Sequence, residues 1–155
     1  MGIIFKAKKV EYKGMTFDSK GELSCYKRLV EAFGVKKVKR EPNRFKIVAE
    51  GKYNCDVFRK WGKDITDRKF PHDYEAKYFT PDFEVVHNGM RYIVEFKNAY
   101  MQSQDYPLRR TLFLRSWNAK NYRAFFECKS QKNVEQAIEI IKNNGVYGDT
   151  KSDSI

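Results

Sequence analysis

Asn88-Gly89 sits between two strand-like runs, Phe79–Val86 and Met90–Lys97, and no other feature limits the fold of this chain so tightly. A two-residue hairpin turn needs positive φ at its centre, which Asn and Gly tolerate better than other residues. If these two residues are the whole loop, His87 faces Met90, Val85 faces Tyr92, Phe83 faces Val94 and Asp82 faces Glu95. Side chains alternate along a strand. Phe83, Val85, Tyr92, Val94 and Phe96 therefore share an apolar face expected to be core, and Glu95 and Lys97 share the other with Asp82.

The rest of the chain reads around that hairpin. Residues 1–15 form a basic arm or edge strand. Ser19-Lys20-Gly21-Glu22 opens a helix to about Phe33, with Tyr26, Leu29, Val30 and Phe33 at helical spacing and Gly34 as its stop. A strand is expected at Arg44–Val48. Residues 50–77 read as an insertion or long loop, with a hairpin as an option. After Pro107 a helix is expected with Leu108, Leu112, Phe113 and Trp117 on one side. A buried strand at Tyr122–Cys128 and a last helix through Val134, Ala137, Ile138 and Ile141 follow, the helix ending near Gly145. This order predicts an α/β class, a central mixed β-sheet flanked by helices, in one domain over 1–145 with a loose tail at 146–155.

Charge narrows the partners. Among 155 residues, 31 Lys and Arg oppose 20 Asp and Glu, a formal +11, and this field favours nucleic acid first. A hydrophobic content of 41% excludes a disordered basic tail. No run approaches the roughly 18 apolar residues of a membrane span, and no apolar leader follows Met1, so no membrane role and a cytoplasmic location are expected. Three widely spaced cysteines (Cys25, Cys55, Cys128) without a C-x-x-C pair point to reduced, structural thiols. There is no Gly-rich phosphate loop for nucleotide hydrolysis.

An acidic residue two before a lysine occurs eight times, so those letters alone select nothing. The hairpin register selects one. It sets Asp82 and Glu95 with Cβ atoms roughly 5 Å apart, and like charges so placed call for a cation. Asp82, Glu95 and the Phe96 carbonyl offer hard oxygen donors suited to Mg²⁺ or Mn²⁺, with Lys97 placed to hold a water and neutralise a phosphate. A solvated, chemically idle face is the alternative. Glu127-x-Lys129 has the same letters on a different strand and serves as the contrast. Glu22 has two readings. Ser19-x-x-Glu22 is a capping box, yet Glu22 shares the inward stripe of Tyr26, Leu29 and Phe33, where a buried carboxylate needs a partner such as a metal.

Phe17-Asp18-Ser19-Lys20-Gly21-Glu22, Tyr78-Phe79-Thr80-Pro81-Asp82-Phe83 and Tyr92-Ile93-Val94-Glu95-Phe96-Lys97, in that order, resemble the PD-(D/E)xK nuclease superfamily. Within it the likeness is to phage endonuclease I-type Holliday junction resolvases, over about residues 16–142. The resemblance implies a restriction-endonuclease-like core. It also implies catalytic Glu22, Asp82, Glu95 and Lys97, of which the three acids bind Mg²⁺ or Mn²⁺. A homodimer that cuts branched DNA inside a phage-infected cell follows from the same likeness. The sixty residues between Glu22 and Asp82 exceed what compact resolvases show. A nuclease for single-stranded ends or nicks, and a non-catalytic basic nucleic-acid-binding module, are the rival readings. Arg44, Lys63, Arg109 and Arg110 are the candidate DNA contacts, and Trp61, Phe58 and Phe70 are either base-stacking or packing residues.

Overall fold

A computed structural model gives the architecture and describes residues 8–58, 73–97 and 104–146. Lys13 and Gly14, both at positive φ, turn β1 (Val10–Tyr12) back onto β2 (Met15–Phe17). Helix α1 (Lys20–Phe33) starts where the Ser19 hydroxyl accepts the Glu22 N–H at 3.1 Å, and it ends on Gly34. Five short strands follow: β3 (Val38–Arg40), β4 (Phe45–Val48), β5 (Gly51–Lys52), β6 (Asp73–Tyr74) and β7 (Lys77–Phe79). The hairpin is β8 (Phe83–His87) and β9 (Met90–Phe96), and α2 (Tyr106–Arg115), β10 (Ala124–Cys128) and α3 (Gln131–Lys142) complete the order.

The central sheet runs β10-β9-β8-β3, with β10 parallel to β9 and the other pairs antiparallel. It is a mixed sheet flanked by helices, the expected α/β class. The hairpin register is also as expected, from His87 opposite Met90 to Phe83 opposite Val94, with Asn88 and Gly89 at positive φ. Phe83, Val85, Tyr92, Val94 and Phe96 pack into the core with Leu29 of α1 and Val134 and Ile141 of α3. Each such side chain stabilises the fold by roughly 1.5–3 kcal/mol. The opposite face is covered too: Ile93 is buried with Phe79, Tyr106 and Phe113 in a second, smaller core.

Several expectations need correction. The run Phe79–Val86 is two strands, because Pro81 has no N–H for a ladder and the chain breaks at Thr80–Asp82. The first part, β7, pairs with β4, leaving Asp82 at the entrance of β8. Strand β3 was not anticipated. The loop expected over 50–77 contains the small β5–β6 pair, and its residues 59–72 lie outside the described residues, as do Trp61, Lys63 and Phe70. The 146–155 tail lies outside them from 147 onward. Helix α2 turns Tyr106 and Phe113 inward, and Leu108 and Trp117 are 62% and 70% exposed. The strand at 124–128 is only half-buried apart from Cys128. No helix among the described residues is long and apolar enough to cross a membrane.

Candidate active site

Three elements bring the acids together. Glycine at position 21 lets the first turn of α1 press on β9, since a Cβ there would lie 2.5 Å from the Phe96 ring. That approach carries Glu22 inward, where it is 2% exposed. The break at Pro81 presents Asp82 at the mouth of β8. Its backbone is held on both sides: its N–H donates to Glu95 Oε1 at 2.6 Å, and its carbonyl accepts from Glu41 N–H at 2.8 Å. The Asp82 carboxylate in turn accepts the Phe96 N–H at 3.0 Å. The two carboxylates of the expected pair are therefore aimed by main-chain amides as well as by register.

One cation serves them. Lys97 Nζ lies 3.3 Å from Asp82 and 3.8 Å from Glu95. Glu95 is 1% exposed, whereas the Asp82 and Lys97 side chains keep 13% and 20% of their surface open. Burial foremost, then the charges of Asp82 and Asp18, push Glu22 from 4.5 up to about 7 against the opposing pull of Lys97 and Arg40. Burial and the Asp82 charge likewise hold Glu95 well above the ordinary carboxylate range. Burial would lower Lys97, but Asp82 and Glu95 outweigh it and its pKa is raised. Burial is the larger cause of the upward shifts, and the excess of acids over the Lys97 ammonium adds to it.

The capping-box reading of Glu22 is half met. Ser19 caps Glu22, but among the described residues the Glu22 carboxylate makes no return bond to the Ser19 N–H. Its electrostatic neighbours are Asp82, Asp18, Lys97 and Arg40, so it belongs to the site.

Glu127 gives the contrast in an unexpected place. The parallel register sets it directly beside Glu95. Its carboxylate is closed by Arg110 Nη1, at 2.8 and 2.9 Å to the two oxygens. Arg110, expected on DNA, is thus engaged inside the protein. Arg109 is too, donating to the Tyr78 carbonyl at 2.8 Å and to Asp105 at 2.6 Å. Arg44 is exposed and lies 3.7 Å over the Tyr78 ring.

Sequence reasoning missed Tyr106. Its ring lies 5.6 Å from both Lys97 Nζ and the Arg110 guanidinium. Its hydroxyl is buried and, among the described residues, has no partner within strict hydrogen-bonding geometry, although Glu127 is near enough to act on it as an acceptor. Burial first, then the charges of Glu95 and Glu127, push the phenol far above its ordinary range. The available signal was its position immediately before Pro107, which marks a helix start and fixes Tyr106 and Phe113 two turns apart.

The donor set suits a hard divalent ion: carboxylate oxygens, surplus negative charge and a buried unpartnered hydroxyl nearby. Among the described residues, no group of three or more His, Cys, Asp or Glu side chains is arranged to hold a metal ion. Backbone amides and Lys97 hold Asp82 and Glu95 in this arrangement. The visible backbone contribution of Phe96 is its N–H, the bond to Asp82.

A family model described as "Protein of unknown function (DUF1064)" matches residues 3–135. The chain belongs to the DUF1064 family. The matched region runs from before β1 into the first turns of α3, so the DUF1064 match contains Glu22, Asp82, Glu95, Lys97, Tyr106, Arg110 and Glu127. No curated protein and no solved structure matches the chain.

Proposed function

We propose that this chain is a metal-dependent endodeoxyribonuclease of the PD-(D/E)xK type, hydrolysing phosphodiester bonds in DNA. One observation carries the reading: the buried acids Glu22 and Glu95 converge with Asp82 on a single ammonium, Lys97, at the open end of the central sheet. A structural ion pair needs one acid per base, whereas phosphoryl chemistry needs surplus negative charge to hold a cation. The +11 charge of the chain supports a polyanionic substrate. Branched DNA such as a Holliday junction, a homodimer and a restriction-endonuclease-like ancestry for the sheet rest on the motif resemblance alone.

Glu22, Asp82 and Glu95 would hold Mg²⁺ or Mn²⁺. Such an ion supplies Lewis acidity, making water a better nucleophile and offsetting charge on the phosphate. Asp82 and Lys97 keep exposed surface, so substrate reaches the site at these two side chains. Lys97, held protonated by its two acids, neutralises a non-bridging phosphate oxygen and orients the attacking water by hydrogen bonding. Glu95 is closed to solvent, which keeps its position fixed as Asp82 and Lys97 rearrange around substrate.

The test is cleavage of a labelled four-way junction, a linear duplex and a single strand with Mg²⁺ and then with EDTA. Asp82→Asn, Glu95→Gln and Lys97→Ala should each fold, bind DNA and cut at least about a hundredfold more slowly, the lower range for loss of a positioned catalytic group. Undiminished cutting in EDTA sinks the metal chemistry. Binding without cutting by the wild-type chain on all three substrates returns the protein to the non-catalytic binding module.

A further inference from the structure

At the opposite end of β9 from the acids, the β8–β9 turn and the 3₁₀ turn Trp117–Asn121 enclose an open depression of about 400 Å³. Arg91, Lys120 and Arg123 line it, and no carboxylate does. Arg91 is held in place from behind. Its Nε donates to buried Glu84, its Nη2 donates to Tyr122 Oη at 3.2 Å, and its guanidinium lies 4.6 Å over the Tyr122 ring. Among the described residues Nη1 of Arg91 has no bonded partner, and exposed Lys120 and Arg123 form no ion pair. A guanidinium fixed on two of its nitrogens, with Nη1 free and two uncompensated cations beside it, is pre-organised for a compact oxyanion such as a phosphate. That arrangement costs less ordering entropy on binding than loose surface lysines would.

We propose that this depression binds a backbone phosphate of the DNA whose scissile phosphate lies at Asp82, Glu95 and Lys97. The inference rests on the nuclease reading for the place of the scissile phosphate, and the phosphate site itself requires only that the chain bind DNA. Residues 91, 93, 95 and 97 share one face of β9, so four residues, roughly 13 Å at the rise of a strand, separate Arg91 from Glu95. At ~3.4 Å of axial rise per base pair and with the winding of the strands added, this span places the two phosphates within a few base pairs of each other. The duplex passes over the α2 layer, which covers the intervening Ile93. The acidic end handles the reacting phosphate and the basic end sets how far along the duplex it lies.

The experiment is binding of a fluorescein-labelled 20-base-pair duplex in EDTA, followed by polarisation between 50 and 200 mM KCl. The variant is Lys120→Ala with Arg123→Ala, both exposed and outside the core. A control of equal charge loss is Lys36→Ala with Lys37→Ala, on the exposed turn after α1. The variant should bind more weakly at 50 mM KCl, and its log affinity should fall less steeply with log salt by about one unit, near 0.9 for the one lost phosphate contact. The control should keep a slope close to wild type. A variant slope equal to wild type, or an equal change in both doubles, overturns the site and leaves the nuclease reading standing. Failure of the wild-type chain to bind any DNA at 50 mM KCl overturns both.

Discussion

Glu84 and Glu95 are both buried acids on the same face of one hairpin, and each is met by a single basic side chain from β9. Their surroundings differ in charge count. Glu84 has Arg91 to itself, and the guanidinium also reaches Tyr122, so the pair is balanced in charge while Arg91 keeps one edge open. Glu95 shares Lys97 with Asp82 and lies in the field of Glu22. Glu127 repeats the balanced pattern with Arg110, one strand over from Glu95. Burial and pairing alone therefore do not mark a reactive centre. What sets the proposed centre apart is acid in excess of base at a place solvent can reach.

The largest effect should come from pH. Glu22 binds its proton more readily folded, near pH 7, than unfolded, near 4.5. Its contribution is therefore favourable below about pH 4.5 and is lost as pH rises through about 7. In EDTA, the stability of wild type relative to Glu22→Gln should fall by about 3 kcal/mol over that window, at ~1.4 kcal/mol per pH unit. Urea unfolding at four pH values measures it, and Mg²⁺ should shrink the loss by supplying the missing positive charge. A difference that stays constant with pH would mean the acids share no surplus charge, and the contrast with Glu84 would disappear.

Next in size is the balanced pair. Glu84→Ala leaves Arg91 without its acid, but that guanidinium is 38% exposed and can hydrate. The expected cost is about 2 kcal/mol, below the 3–5 typical of breaking a fully buried pair. At saturating DNA the cleavage rate per folded molecule should not change, whereas DNA affinity should fall because Arg91 loses the acid that holds it in its depression. A variant that folds at near wild-type stability and has lost cutting would assign Glu84 to the chemistry and erase the distinction drawn here.

The smallest change concerns Tyr106. Tyr106→Phe removes a buried hydroxyl that, among the described residues, has no well-formed hydrogen bond, so thermal unfolding should show equal or slightly greater stability, within about 1 kcal/mol. A clear loss would show that the hydroxyl is partnered in solution and contributes to the fold.

What could be read from the letters was what short-range chemistry decides. Asn88-Gly89 fixes the register of β8 and β9 locally, and the apolar face, the Asp82–Glu95 pairing and the company of Lys97 all follow from it. The Ser19 cap and the stop at Gly34 were likewise local signals. Pairings across long stretches of chain left no such trace. Strand β3 finds β8 more than forty residues on, β7 leaves the hairpin to join β4, and the parallel pairing that puts Glu127 beside Glu95 crosses all of α2. In α2 the apolar letters fall on both sides of the helix, so periodicity alone turned Leu108 and Trp117 inward instead of Tyr106.

The amides that aim Asp82 and Glu95 have a further consequence. Asp82 N–H on Glu95 and Phe96 N–H on Asp82 belong to the main chain, which no point substitution short of proline removes. Much of the direction of both acids is thus inherited with strand pairing, with Lys97 as the side chain that adds to it. Lineages carrying this hairpin can drift at nearly every surrounding position and keep their two acids correctly pointed. Kinship among such chains would persist in the ladder long after it had faded from the alphabet.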